Sequence, residues 1–103
     1  MSYLADQLKE KGNDAFRKGA FTEAEEYYTQ AIQKHSKNPL IFTNRANVRL
    51  KLQQWDGAVN DCLISIDISG PGAQNHKAFY FLGKAVFAMF DLQDRHDHDY
   101  VAC

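Results

Sequence analysis

Small and apolar residues recur at helical spacing along the first seventy positions, and the recurrence has a long period. An offset of 34 carries Gly12 onto Ala46, Ala24 onto Ala58 and Ala31 onto Ser65, and puts the aromatics Phe21 and Trp55 in one phase. Thr22 and Asp56 share the next phase. Both are N-cap residue types just after an aromatic, and Glu25 follows Thr22 at the spacing of a capping box, so each repeat is expected to open its second helix there. The preceding helix of the first repeat is predicted from about Leu4 to Lys18, ending at Gly19 in a left-handed cap. Asn38-Pro39 restarts the chain, because Asn caps well and Pro is preorganised for a first turn. A third helix is predicted over about Pro39 to Leu52, with a fourth after Trp55.

Gly70-Pro71-Gly72 interrupts helicity, and a fifth helix is expected from Asn75, carrying Phe79, Leu82, Gly83, Val86 and Phe87 at helical spacing. Gly83 stands 37 rather than 34 positions after Ala46, so the loop from Ser69 to Gln74 holds three extra residues. The small residues have a steric reason. Where two antiparallel helices cross most closely, Gly or Ala lets the backbones approach while aromatics fill the flanks. The expected fold is therefore all-α, an α–α superhelix of two complete helix-turn-helix repeats, about 5–38 and 39–72, plus a third, truncated repeat at 76–90. These form one domain over 1–90. The pattern then fails: Arg95 stands where the next small residue belongs, and Asp91 to Tyr100 mixes acids and histidines without an apolar face. Residues 91–103 read as an acidic, disordered tail. A solenoid without a polar end helix is predicted to be marginal in stability, to self-associate, or to be completed by a partner chain.

Composition narrows the function. The chain of 103 residues suits one modest core, and its net charge of −1 excludes a surface dominated by nucleic-acid binding. Residues 1–90 carry 11 basic and 9 acidic groups, so the body is mildly basic and the tail acidic. No apolar run approaches the length of a membrane span, and the first twenty residues lack the apolar stretch of a secretory signal. Cys62 and Cys103 are far apart and in no Cys-x-x-Cys arrangement, which favours reducing cytoplasm over a disulfide framework or zinc site. His96-Asp97-His98-Asp99 has metal-ligand residue types but not the spacing, and Cys62 falls at a packing phase. No nucleophile with its base, no phosphate-cradling loop and no paired carboxylates occur. The expectation is binding rather than catalysis, without cofactor or metal.

Leu8, Gly12, Ala24, Tyr28 and Ala31, echoed by Phe42, Ala46, Ala58 and Cys62, resemble the tetratricopeptide (TPR) repeat pattern over about residues 4–90. Leu8 to Asn13, Phe42 to Ala46 and Lys77 to Gly83 are similar to the carboxylate-clamp TPR domains of co-chaperones, most of all those of the CHIP-type U-box ubiquitin ligases. The resemblance implies binding of the C-terminal Glu-Glu-Val-Asp of seventy- and ninety-kilodalton heat-shock chaperones. It assigns Lys9 and Asn13, Asn44, and Lys77 to the clamp of the first, second and third repeats. Phe81 occupies a position that is basic in many members, which removes one charge contact.

The residues agree with this chemistry. Lys9 and Asn13 are four apart on one helical face, as are Lys77 and Phe81. A terminal Asp brings two carboxylates that need charge-retaining donors in a partly desolvated cleft, and Asn donates without the desolvation cost of another ion. Phe16, Tyr80 and Phe81 are candidate apolar walls for the preceding ligand residues. Arg45 and Arg49 lie near Asn44 but are left outside the site. Two rival readings are a self-associating scaffold and a docking subunit whose ligand needs no free carboxylate.

Overall fold

The computed structural model describes residues 3–34, 37–70 and 75–102, with side chains placed as far as Asp91. Five helices follow one another: α1 (Tyr3–Arg17), α2 (Phe21–Gln33), α3 (Pro39–Lys51), α4 (Trp55–Ser69) and α5 (His76–Ala102). The architecture is the all-α repeat solenoid, with α1/α2 and α3/α4 as antiparallel hairpins and α5 laid against α3 and α4. Among the described residues no helix is long and apolar enough to cross a membrane.

The turns inside the two hairpins share one repeat phase. Gly19 takes φ 78° after α1, and Gln53, its partner at the 34-residue offset, takes φ 62° after α3. The left-handed conformation is open to glycine and costs Gln about 1–2 kcal/mol, which the backbone bond from Gln54 N to Arg49 O at 2.8 Å helps to offset. Asn38 caps α3 as expected, accepting from Leu40 N at 3.0 Å. The caps assigned to Thr22 and Asp56 need correction. α2 and α4 start at Phe21 and Trp55, so their N-caps are Ala20 and Gln54, two residues earlier than expected, and these make no side-chain cap bond. Thr22 lies within α2, so Glu25 closes no capping box and instead accepts from Arg49 Nε at 2.9 Å.

The small residues sit where the repeat places them. Ala24, Ala31, Ala46 and Ala58 are fully buried, and a Cβ on Gly12 would stand 2.5 Å from Tyr28 Cε1, so the α1/α2 crossing tolerates nothing larger. Ser65, in the phase of Ala31, is equally buried but satisfied by Thr43 Oγ1 at 2.8 Å and Pro39 O at 3.0 Å. The hairpins are locked together by ions. Arg45 grips Asp61 through Nε (2.8 Å) and Nη2 (2.7 Å) and reaches Thr29 on α2 at 3.0 Å. Arg49 adds bonds to Asp61 (3.1 Å) and Glu25. One inaccessible carboxylate thus holds two guanidiniums, and with them α2, α3 and α4.

α5 departs from the plan. Phe90 occupies the phase of Gly19 and Gln53, but no turn follows, and the helix continues to Ala102 through the stretch whose composition predicts disorder. A bulky Phe resists positive φ, and no Gly or Pro between Gly83 and Ala102 stops a helix locally. The side chains of the His96–Asp99 cluster lie outside the described residues, as does Cys103.

Candidate functional site

The first helices of the repeats, α1, α3 and α5, line one face in succession, α3 touching both of the others. Between α1 and α3 lies a hollow of about 140 Å³ lined by Asn13, Phe16, Arg17, Tyr28, Asn44 and Asn47. Three amides, a guanidinium and a phenol face it, and no carboxylate does. Asn13 is its best-determined group. Its Oδ1 accepts from the Tyr28 hydroxyl and from Asn44 Nδ2, the latter at 3.2 Å. With Oδ1 taken by these two donors, the Nδ2 hydrogens of Asn13 are not needed for either bond, and Asn13 lines the hollow. Tyr28 keeps its proton for this work. Burial pushes the phenol up to about 12, Arg17 pulling it down less strongly and Glu10 adding a smaller push.

The sequence-based site residues divide into two groups. Asn13, Phe16 and Asn44 come together around the hollow. Lys9 lies one turn before Asn13 on α1, its side chain 21% exposed and its Nζ 3.8 Å from Glu10. Phe16 also packs at a tilt against Phe21, with ring centroids 5.4 Å apart, and against the core, so it is wall and packing at once. Lys77, Tyr80 and Phe81 do not line this hollow. Lys77 lines a second one of about 170 Å³ between the starts of α3 and α5, beside Pro39, Leu40 and Thr43. Tyr80 and Phe81 stand with rings 5.6 Å apart, Tyr80 61% exposed, and Lys84 Nζ lies 5.3 Å from the Tyr80 ring. The reason is spacing: α5 packs against α3 and not against α1, so groups on α1 and α5 meet only across a ligand. Arg45 and Arg49, left outside the site, turn to Asp61 on the opposite side of α3.

Comparison with known proteins fixes the family. No family model matches. The chain is 38% identical to RNA polymerase II-associated protein 3 of Rattus norvegicus over 94 residues, 91% of this chain and 14% of that protein. It is 36% identical to the E3 ubiquitin-protein ligase CHIP of Arabidopsis thaliana over 85 residues, 82% of this chain and 30% of that protein. The second TPR of Spaghetti (RPAP3), solved bound to the HSP90 peptide SRMEEVD, matches with a TM-score of 0.79 at 32% identity, covering 97% of this chain and 91% of that one. The chain belongs to the TPR family. It spans only about a seventh of the first of these relatives.

Within this TPR chain, Tyr28, Arg17 and Asn47 also line the hollow, and reading the sequence alone passed over them. Asn47 carried a signal: it stands 34 positions after Asn13, in the same phase of the second repeat. Tyr28 had none, because its part is played across the hairpin. Cys62 is fully buried, and burial, with Asp61 beside it, pushes its thiol up to about 11, which makes it an unreactive core residue.

Proposed function

We propose that this TPR domain, within residues 1–90, is a recognition module for the acidic C-terminus Glu-Glu-Val-Asp of heat-shock chaperones, held in the groove along α1, α3 and α5. Its activity is binding in the cytoplasm, as a co-chaperone or adaptor, and not catalysis. The observation that carries the reading is the pinned amide of Asn13 beside Asn44, in a hollow without a carboxylate. Asn13 and Asn44 receive the terminal carboxylate, Lys9 adds charge from α1, and Lys77 holds a carboxylate further along the peptide. Phe16, Tyr80 and Phe81 cover the apolar ligand residues between them. Crossing from α1 to α5 covers two helix spacings, about 20 Å, which an extended peptide spans with about six residues. The solved relative that holds SRMEEVD has a ligand of that reach. Tails of both the seventy- and the ninety-kilodalton chaperones satisfy this chemistry. Charge-assisted bonds offset by the ordering of a flexible peptide put the affinity near micromolar, about −8 kcal/mol. The chain also associates with itself through α5, away from the groove.

Calorimetric titration with a chaperone-tail peptide tests the reading. The free acid binds, and its C-terminally amidated twin binds at least ~10-fold more weakly, a loss of ~1.4 kcal/mol. Equal affinities would overturn the clamp in favour of a docking surface indifferent to a free terminus. Lys77→Ala weakens the free acid while leaving the unfolding midpoint in place, because an exposed lysine adds little to stability.

A further inference from the structure

Three positions of α5 repeat the interior face of α1 and α3 but face solvent. Phe79 corresponds to Leu8 and Phe42, each 8% exposed, yet is itself 54% exposed. Gly83 corresponds to Gly12 and Ala46, and a Cβ placed on it would meet nothing within 4 Å. Val86 corresponds to Ala15, 6% exposed, and to Arg49, which pairs with Asp61 on α4, and is itself 36% exposed. Phe90, 70% exposed, extends the row to four residues spaced i, i+4, i+7, i+11 on one helical stripe. The stripe is thus the face on which each earlier repeat seats its second helix.

Residues 91–102 are a poor occupant. Arg95 falls at the phase of Ala24 and Ala58, both fully buried, so folding this segment back would drive a charge into the closest crossing. A second copy of α5 fits better, for reasons written in the stripe itself. Its order, large, small, medium, large, is matched about the point between Lys84 and Ala85. Antiparallel pairing there sets Phe79 opposite Phe90 of the other copy and Gly83 opposite Val86, filling each gap left by the missing Cβ.

We propose that two copies of this chain associate through α5 against α5, antiparallel, with the Phe79–Gly83–Val86–Phe90 stripe as the contact and the two-fold axis between Lys84 and Ala85. The stripe repeats the Leu8 column of α1, whereas the groove is built on the neighbouring Lys9 and Asn13 columns, so pairing leaves the groove open. It does not depend on what the groove binds. A single helix pair falls short of the ~1,200 Å² of a standard interface, so the dimer is weak and reversible.

Sedimentation equilibrium of the full chain without peptide, from about 10 µM to about 1 mM, gives a mass rising toward the dimer, and Val86→Asp weakens the association at least ~10-fold. Circular dichroism confirms that this variant keeps its helices, since the Val86 side chain is partly exposed. The register is read by crosslinking in a Cys103→Ser background. Phe79→Cys mixed with Phe90→Cys forms an intermolecular disulfide, while neither variant does so alone, since identical positions lie about 16 Å apart in this register, beyond disulfide reach. A monomer throughout the range, an association unmoved by Val86→Asp, or crosslinking of one single variant with itself would each overturn the proposal. Peptide titration on Val86→Asp keeps the two readings apart, its affinity being unchanged if the groove reading holds.

Discussion

Gly12 and Gly83 occupy the same phase of the repeat and meet opposite surroundings. The first is pressed against the Tyr28 ring, and the second has open space where a second helix would lie. The difference begins seven residues later, at the position shared by Gly19, Gln53 and Phe90. The first two adopt positive φ and turn the chain back on itself, while Phe90 stays helical and α5 runs on. A glycine in a repeat therefore marks a close crossing only when the turn that follows it brings a helix back. The proposed clamp follows the same division. The half built on α1 and α3 is preorganised by Tyr28 and the neighbouring amide, whereas the α5 half presents Lys77 and Tyr80 as exposed side chains.

The contrast can be broken most severely at Asp61. Asp61→Ala leaves Arg45 and Arg49 without their shared buried carboxylate and is expected to cost about 3–5 kcal/mol, read as a collapse of the urea midpoint. A loss below about 1 kcal/mol would mean that the body of the solenoid does not rest on this ion cluster. Gly12→Ala and Gly83→Ala sharpen the comparison directly, because the same methyl is added in the same phase. At Gly12 it overpacks the Tyr28 ring and costs about 1–3 kcal/mol. At Gly83 it meets nothing and stabilises α5 by about 0.5–1 kcal/mol. Changes of one sign in the two denaturation curves would remove the distinction.

Of the same order as the Gly83 change is the loss of the Tyr28 hydroxyl. Tyr28→Phe lowers stability by about 1 kcal/mol at neutral pH and frees the Asn13 amide, weakening the free-acid peptide as well. The pH dependence has a definite sign. The folded chain holds the phenolic proton up to about 12 and the unfolded chain only to about 10, so this contribution is present below pH 10 and fades as pH rises from 10 towards 12. The stabilities of wild type and Tyr28→Phe, followed by fluorescence unfolding over that window, are expected to converge. A gap that stays constant would show that the phenol titrates alike in both states.

Much of the fold was legible because the 34-residue offset pairs residues by volume, and volume at a helix crossing is a local steric demand that each repeat must meet by itself. The lining of the hollow was legible where amides sit on neighbouring first helices, as with Asn13 and Asn44. It was opaque where a side chain acts across the hairpin. Tyr28 reads as a core aromatic, and only its hydroxyl against Asn13 Oδ1 reveals that it aims an amide. Arg45 and Arg49 read as solvated helix charges until Asp61 is seen between them. The caps given to Thr22 and Asp56 failed because both helices begin before them, and the box carboxylate of Glu25 pairs with Arg49 instead.

By itself the sequence determined the repeat length, the helices, the crossing points and the donor residue types along the first helices, since all of these follow from spacing along the chain. Tertiary structure alone decided which donors share a hollow, where the buried charges pair, and that the third crossing stays bare. Those outcomes depend on distances between elements remote in sequence, and no local preference of the chain encodes them.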